Sequence, residues 1–203
     1  MSLLQGGISA GRYLVLGPVP DEADLMAGLE QDRFRDFQDG LEEERMGWCD
    51  WRRLKIVPPD KDWVMQDRFA VFALRIDVRK VPAELLKAEV AERLEKLAKD
   101  KDLAFIGKEA RLSLEDEVKV ELIKKVLPSP KAYEVVWDLK GGQLYTMATS
   151  TKAQGALMSL FIKSFGCELH LQGPLLLAGR IAPDIPVEGL MALDPLDLSM
   201  EEE

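Results

Sequence analysis

Residues 69–80 form an alternating run, FAVFALRIDVRK, and no other stretch limits the possible folds of this chain as much. Every second residue of the run is apolar, and a period of two over this length predicts a β-strand. The first half is apolar on both faces, which predicts a central strand covered on both sides. The second half carries Arg75, Asp77 and Arg79 on one face, so we expect it to emerge into solvent.

A helical region is predicted after this strand, over residues 82–128. Pro82 suits the first turn of a helix, where an N–H group has no intrahelical partner. The sequence SLED at 113–116 resembles a capping box and predicts that a second helix begins there. Lys124 and Lys125 fall in its last turn, where cations are favoured. Apolar residues recur at helical spacing at Leu85, Leu86, Val90, Leu94 and Leu97, and again at Leu114, Val118, Leu122 and Val126.

Shorter patterns predict the remaining elements, which together indicate an α+β fold with mostly antiparallel sheets and flanking helices. Asp21 is expected to cap the first helix and Gly40 to end it, and Thr151 and Gly166 have the same roles in the last helix. A hairpin is expected to turn at Lys140-Gly141-Gly142. The predicted strands cover residues 12–16, 46–57, 64–66, 132–139, 143–149 and 167–172.

Length and composition suit a folded chain with a substantial core. At 203 residues, with 47% hydrophobic residues, the chain can form one large domain or two small ones. We expect residues 1–182 to form a single domain, with residues 82–128 as its helical sub-region. Residues 183–203 contain repeated prolines and end in MEEE, which predicts a loosely ordered acidic tail.

The formal charge of −9 is distributed unevenly. Between Arg75 and Lys163 there are 17 Lys and Arg against 14 Asp and Glu, a net charge of +3. The rest of the chain has 10 basic and 22 acidic residues, a net charge of −12. The asymmetry permits a basic surface in the middle of an acidic protein, and such a surface attracts polyanions.

Motifs for nucleotide, metal and nucleophilic chemistry are missing from the sequence. It has no GxxxxGK[ST] or GxGxxG loop. The single histidine, His170, alternates with leucines on a predicted strand and is expected to point outward without a catalytic partner. Cys49 and Cys167 do not form a CxxC pair and are expected to be buried thiols. We therefore predict no enzymatic activity, no cofactor and no metal.

One enzymatic alternative stays open. Asp77, Glu134 and Asp138 are strand-borne acids that could converge on two metal ions, as metal-dependent nucleases require. The alternation of Glu134 and Asp138 with apolar residues is also typical of an ordinary solvent-facing strand.

A cytoplasmic location without a membrane partner is expected. No apolar run reaches the roughly 18 residues of a membrane span. The N-terminus has no basic region before its apolar part, as a secretion signal would have.

From residue 46 onward, the order of several short motifs resembles the RdgC family, the recombination-associated proteins of bacteria. The resemblance covers roughly residues 46–172. Its motifs are MGW at 46–48, DVRKVP at 77–82, EDEV at 115–118, VLP at 126–128, VWD at 136–138, GG at 141–142 and SFG at 164–166.

The resemblance implies non-specific binding of double-stranded DNA by a ring-like homodimer, together with restraint of recombinase filaments on the nucleoid. Family members are sometimes labelled exonucleases, although no catalytic motif comes with the resemblance. The chain differs from the family at the joint at residues 127–131, LPSPK, where the family commonly has LPRAF. The family's C-terminal third is also expected to be missing, which would leave ring closure open.

We predict that mid-chain cations contact the DNA backbone without reading bases. Two alternatives remain: a protein-binding assembly module of the same fold without DNA binding, and the metal-dependent exonuclease. The predicted DNA-binding residues are Arg75, Arg79, Lys80, Lys108, Arg111, Lys124, Lys125 and Lys131.

Overall fold

A computed structural model describes residues 9–37, 41–52, 58–100, 106–181 and 183–192, and it confirms the α+β class. All strand pairs of its seven-stranded sheet are antiparallel, in the order β2-β4-β5-β6-β1-β7, with β3 beside β4. The strands are β1 (Gly11–Leu16), β2 (Glu44–Cys49), β3 (Met65–Gln66), β4 (Phe69–Val78), β5 (Ser129–Asp138), β6 (Gln143–Thr146) and β7 (Glu168–Leu171). The helices are α1 (Glu22–Gln31), α2 (Lys61–Val64), α3 (Ala83–Asp100), α4 (Lys108–Lys125), α5 (Thr151–Phe165), α6 (Pro174–Ile181) and α7 (Val187–Met191). No helix in the described ranges is long and apolar enough to cross a membrane.

Strand β4 is central, as its sequence predicts. It pairs with β5 along its whole length and with β2 and β3 on its other edge. The prediction that its second half emerges into solvent is wrong, because Ile76 is 5% exposed and Asp77 is 1% exposed. Residues 33–37 pass near this end of the sheet, and Phe34 packs on the face that Arg75 and Asp77 share.

The core lies on the opposite face of the sheet, where α1 and α5 cover it. Trp48 and Phe72 lie on neighbouring strands, with ring centroids 5.0 Å apart and planes nearly perpendicular. Trp137 makes a similar edge contact with Phe161 of α5 at 4.8 Å. Edge-to-face pairs of this kind add to the stabilisation from apolar burial.

The chain crosses β2 closely just after α1. Phe34 donates its backbone N–H to the Trp48 carbonyl at 2.8 Å, and Trp48 donates to the Asp32 carbonyl at 2.9 Å. Gly47 makes this approach possible, since a Cβ there would lie 2.5 Å from the Phe34 nitrogen. The prediction that the first helix runs to Gly40 is wrong: α1 ends at Gln31 because the chain turns into this crossing. Gly40 itself lies outside the described residues.

Helices α3 and α4 pack as a pair beside the sheet, around a small core of their own. Val118 and Leu122, two residues of the predicted apolar stripe, are buried there with Val81. The prediction that the second helix begins at Ser113 is wrong, because α4 begins at Lys108, after Gly107. The helix therefore continues through SLED at 113–116 and does not begin there.

The C-terminal elements match the predicted pattern with shifted boundaries. The hairpin turns at Gly142, whose φ is +61°. Ser150 caps α5, where Thr151 is predicted to do so, and its Oγ accepts a hydrogen bond from the Ala153 N–H. Gly166 ends α5 in the left-handed conformation. Helices α6 and α7 are not predicted from the sequence, and α7 lies within residues 183–203, of which 193–203 are outside the described ranges.

Several further boundaries differ from the prediction, among them the end of β6 at Thr146 instead of residue 149. Strand β5 begins at Ser129, within the proline-containing joint. Val64, predicted to be extended, ends the short helix α2. Strand β2 ends at Cys49, and residues 53–57 of the predicted strand lie outside the described ranges.

Both cysteines are buried free thiols, as predicted. Burial raises the pKa of Cys49 to about 12 and also raises the pKa of Cys167. Since the thiolate is the reactive form, we expect neither thiol to react with a disulfide reagent at pH 8 in the native protein. After the reagent is added, the absorbance of its released product should stay near baseline in native buffer. In denaturant, it should correspond to two reactive thiols per chain. Rapid labelling of the native protein would contradict this burial.

Candidate nucleic-acid interface

Arg75, predicted to face solvent, instead forms a bidentate ion pair with Asp77. Its Nε and Nη2 each donate to an Asp77 carboxylate oxygen at 2.8 Å. Its guanidinium carbon lies 4.3 Å from the centre of the Phe34 ring. The hydrogen bonds to Asp77 raise the pKa of Arg75. The Arg75 charge therefore stabilises a buried carboxylate.

Arg79 is the first residue after the end of β4 and lies on the same face of the sheet as Arg75. Its guanidinium carbon is 4.1 Å from the centre of the Phe37 ring, and its backbone N–H donates to the Glu43 carbonyl at 2.7 Å. Its Nε is buried and has no hydrogen-bond partner in the part of the chain that the structure describes. Stacking on Phe37 holds the guanidinium in place and does not neutralise its positive charge.

Five of the eight predicted cations surround the point where the α3–α4 pair joins the sheet. Strand β4 leads into α3 there, and α4 leads back into β5, with Val78 opposite Ser129 in register. Lys131 lies opposite Ile76, close to the same end, on the face of the sheet that Ile76 shares and not on the face of Arg75 and Asp77. We call this set the root patch: Arg79, Lys80, Lys124, Lys125 and Lys131.

The four lysines of the root patch are exposed, and none forms an ion pair with any described residue. The nearby acids are already paired. Glu43 binds Lys119 at 2.7 Å, and Glu44 binds Lys152. The hydrogen bond from Lys119 lowers the pKa of Glu43. Glu121, one turn before the end of α4, pairs with Arg93 and also interacts electrostatically with Lys124 and Lys125. The lysine charges of the root patch therefore face solvent.

Lys108 and Arg111 are not brought to the root patch. They lie at the start of α4, and the sixteen residues from Lys108 to Lys124 correspond to about 24 Å of helix at 1.5 Å per residue. Both side chains are exposed.

Two of the three strand-borne acids that could serve a nuclease, Asp77 and Asp138, are held in separate interactions. Asp77 is paired with Arg75, and Asp138 accepts a hydrogen bond from the Gly141 N–H at 2.9 Å and an ion pair from Arg68. Among the described residues, no group of three or more His, Cys, Asp or Glu side chains is placed to hold a metal ion.

The structure also contains a cationic cleft that the sequence does not reveal. The cleft has a volume of about 360 Å³ and lies between the end of α1, the crossing residues, β2 and α5. Four cations line it, Arg33, Arg35, Arg45 and Lys163, together with one acid, Asp32.

A hydrogen-bonded chain leads from the core to Asp32, which lines the cleft. The Trp48 indole donates to Ser164 Oγ at 2.8 Å, and Ser164 donates to Asp32 Oδ2 at 2.8 Å. Lys163 pairs with the other oxygen of Asp32, whose side chain is 5% exposed. These contacts hold the ammonium group of Lys163, on α5, beside the end of α1.

The cleft and the root patch adjoin each other through Phe37. Arg45 lines the cleft, and its guanidinium carbon is 6.0 Å from the centre of the Phe37 ring, on which Arg79 also stacks. Arg45 of the cleft and Arg79 of the root patch therefore lie against the same aromatic ring. The alternation Arg33-Phe34-Arg35 is the one local signal that could have indicated this cleft.

Comparison with protein families gives a match over residues 13–173, to the family described as "Putative exonuclease, RdgC". The chain belongs to the RdgC family. The match extends the region of resemblance toward the N-terminus, so that β1, α1 and the crossing residues are part of the RdgC-family unit. No curated protein matches the chain.

Proposed function

We propose that this RdgC-family protein binds double-stranded DNA through its phosphate backbone, without reading the base sequence. The observation that carries the proposal is the root patch, where four exposed lysines without carboxylate partners among the described residues accompany the stacked Arg79. Lysine ammonium groups on flexible stems suit non-specific phosphate contact, because each can follow a phosphate without a fixed geometry. Such contacts release condensed counterions from the duplex.

The charge of the whole chain does not oppose this role. The protein carries −9 overall, but at physiological ionic strength the Debye length is about 8 Å. Exposed acids farther from the root patch than this are largely screened from a bound duplex. The local surface therefore decides whether a phosphate is attracted.

We infer that the DNA-binding form is a homodimer, as family membership suggests. One root patch supplies five cations, which is a small number for stable non-specific binding. A two-fold dimer doubles the number of contacts along one duplex. Binding of this kind would also compete with recombinase filaments for DNA and place the protein on the nucleoid.

The salt dependence of duplex binding tests the proposal. Log affinity should fall linearly with log salt, with a slope no steeper than about −4.5 for one root patch and about −9 for two, at roughly −0.9 per phosphate contact. Fluorescence anisotropy with unrelated duplex sequences between 50 and 300 mM NaCl measures the slope. Sedimentation velocity in the same buffers gives the oligomeric state.

Two results would contradict the proposal. The first is no duplex binding at the lowest salt, which would favour the assembly-module alternative. The second is binding that depends on base sequence but hardly on salt. Degradation of labelled duplex on adding Mg²⁺ would instead indicate the exonuclease alternative, for which the described residues offer no candidate metal centre.

A further inference from the structure

The cleft beside the root patch differs from a surface that follows a duplex. It is a concavity of about 360 Å³ with four cations on its walls. We propose that this cleft binds one phosphate group of a nucleic-acid strand, with Arg33 and Arg35 as its main donors. The inference deepens the proposed function and rests on it for the identity of the polymer that carries the phosphate.

Arg33 and Arg35 have donor groups that the protein itself does not use. Arg35 is exposed and forms no ion pair with a described residue. Arg33 Nε is buried and has no acceptor among the described residues, and Nη2 of the same side chain lies 3.5 Å from Glu30. A buried donor without an acceptor is unfavourable, and an oxygen of a bound phosphate is the kind of acceptor that Arg33 lacks. Guanidinium groups also match phosphate oxygens in a two-point geometry.

The remaining charges around the cleft leave it positive. Four cations and Asp32 give a lining charge of +3. Asp32 is occupied by Lys163 and Ser164, so its oxygens are turned to protein donors. Arg45 is held by Glu42 and by backbone carbonyls of residues 35 and 36, and it contributes charge more than free donors. Glu30 pairs with Arg33 and Glu42 pairs with Arg45, so both acids reduce the local charge although neither lines the cleft.

The size of the cleft sets the kind of ligand. Sites for small ligands have volumes of roughly 300–1,000 Å³, so this cleft can take a phosphate with its attached sugar but not a duplex. The neighbouring root patch would hold the rest of the strand. The phosphate could come from a strand end or from an internal position, and the two sources can be distinguished.

Calorimetric titration of the full chain with thymidine 5′-monophosphate, and separately with thymidine, tests the cleft. We expect the monophosphate to bind and the nucleoside to give no signal. Arg33→Gln/Arg35→Gln should weaken monophosphate binding at least tenfold, and so should Arg35→Glu, which leaves the contact between Arg33 and Glu30 intact. Lys87→Gln/Lys96→Gln, on the surface of α3, should bind like wild type. Thermal melting of each variant confirms that it is folded.

Two duplexes of one sequence, with 5′-phosphate or 5′-hydroxyl ends, distinguish the sources. Tighter binding of the phosphorylated duplex, lost in Arg33→Gln/Arg35→Gln, assigns the cleft to strand ends. Equal binding of both duplexes, weakened alike by the double variant, assigns it to internal phosphates. Equal binding that the double variant leaves unchanged overturns the proposal, as does equal titration by the monophosphate and thymidine.

The cleft proposal and the proposed duplex-binding function can be contradicted independently of each other. If duplexes bind with the expected salt slope while the monophosphate does not bind, the cleft proposal alone is wrong. If the monophosphate binds and depends on Arg35 while no duplex binds at low salt, the proposed function alone is wrong.

Discussion

Replacing Lys124 and Lys125 with glutamine is expected to weaken duplex binding about 60-fold at 0.1 M salt. Each phosphate contact contributes about 0.9 in log affinity for every tenfold drop in salt below 1 M, so two contacts contribute about 1.8 at 0.1 M. The salt slope should become less steep by about 1.8 in the same variant. Fluorescence anisotropy across a salt series measures both quantities.

The matched control removes two lysine charges from the same helix pair but away from the root patch. In Lys87→Gln/Lys96→Gln, each lost ammonium is already paired with a carboxylate, Glu84 or Glu92. We expect duplex affinity within about twofold of wild type, because an ammonium paired with an adjacent carboxylate contributes little to phosphate binding. Equal losses in both double variants would indicate a general charge effect and would contradict a localised root patch.

A loss of helix stability could imitate the first result, and it is measured separately. Lys124 and Lys125 lie in the last turn of α4, where a cation stabilises a helix by about 0.3–1 kcal/mol. A fall of a few degrees in Tm is therefore expected from Lys124→Gln/Lys125→Gln. Binding assays well below that Tm keep the affinity change interpretable.

Replacing Arg75 with methionine is expected to lower the free energy of unfolding by about 3–5 kcal/mol. Asp77 is 1% exposed and would keep a buried charge without its bidentate partner. Removing one member of a buried ion pair costs this much, whereas replacing both members with apolar residues costs far less. Arg75→Met/Asp77→Leu should therefore recover much of the loss in urea denaturation.

The comparison variant for this prediction is Arg93→Met, which removes an arginine from an exposed pair with Glu121. Its effect on unfolding should be much smaller, because solvent screens that pair. If Arg75→Met were as stable as wild type but lost duplex affinity, Arg75 would contact DNA, as the sequence suggests. Wild-type duplex affinity in a destabilised variant would instead support the structural role.

Local sequence patterns predicted those parts of the fold that depend on neighbouring residues. The period of two in residues 69–80 identified a central strand, and Gly166 marked the end of α5 in a left-handed conformation that glycine tolerates. The start of α4 was mispredicted because SLED at 113–116 has the form of a cap, while packing of Val118 and Leu122 favours a longer helix. Local capping energies are small beside the burial of an apolar face.

The candidate site depended on contacts that no local pattern contains. Lys163 and Asp32 meet across 131 residues of sequence. Arg75 is withdrawn from the surface by Asp77 and by the crossing at Phe34, which in turn requires a glycine on β2. By contrast, the exposure of Lys124 and Lys125 followed from their place at the end of an amphipathic helix.

The strand order has a consequence for how this protein is made. Among the described strands, β1 pairs with β6 and β7 alone, so these partners are synthesised more than a hundred residues after it. At about 5–20 residues per second, a ribosome needs roughly 6–25 seconds to reach β6 from the end of β1. During that interval the nascent N-terminal strand has both edges open, and its earliest native pairing coincides with emergence of the last third of the chain.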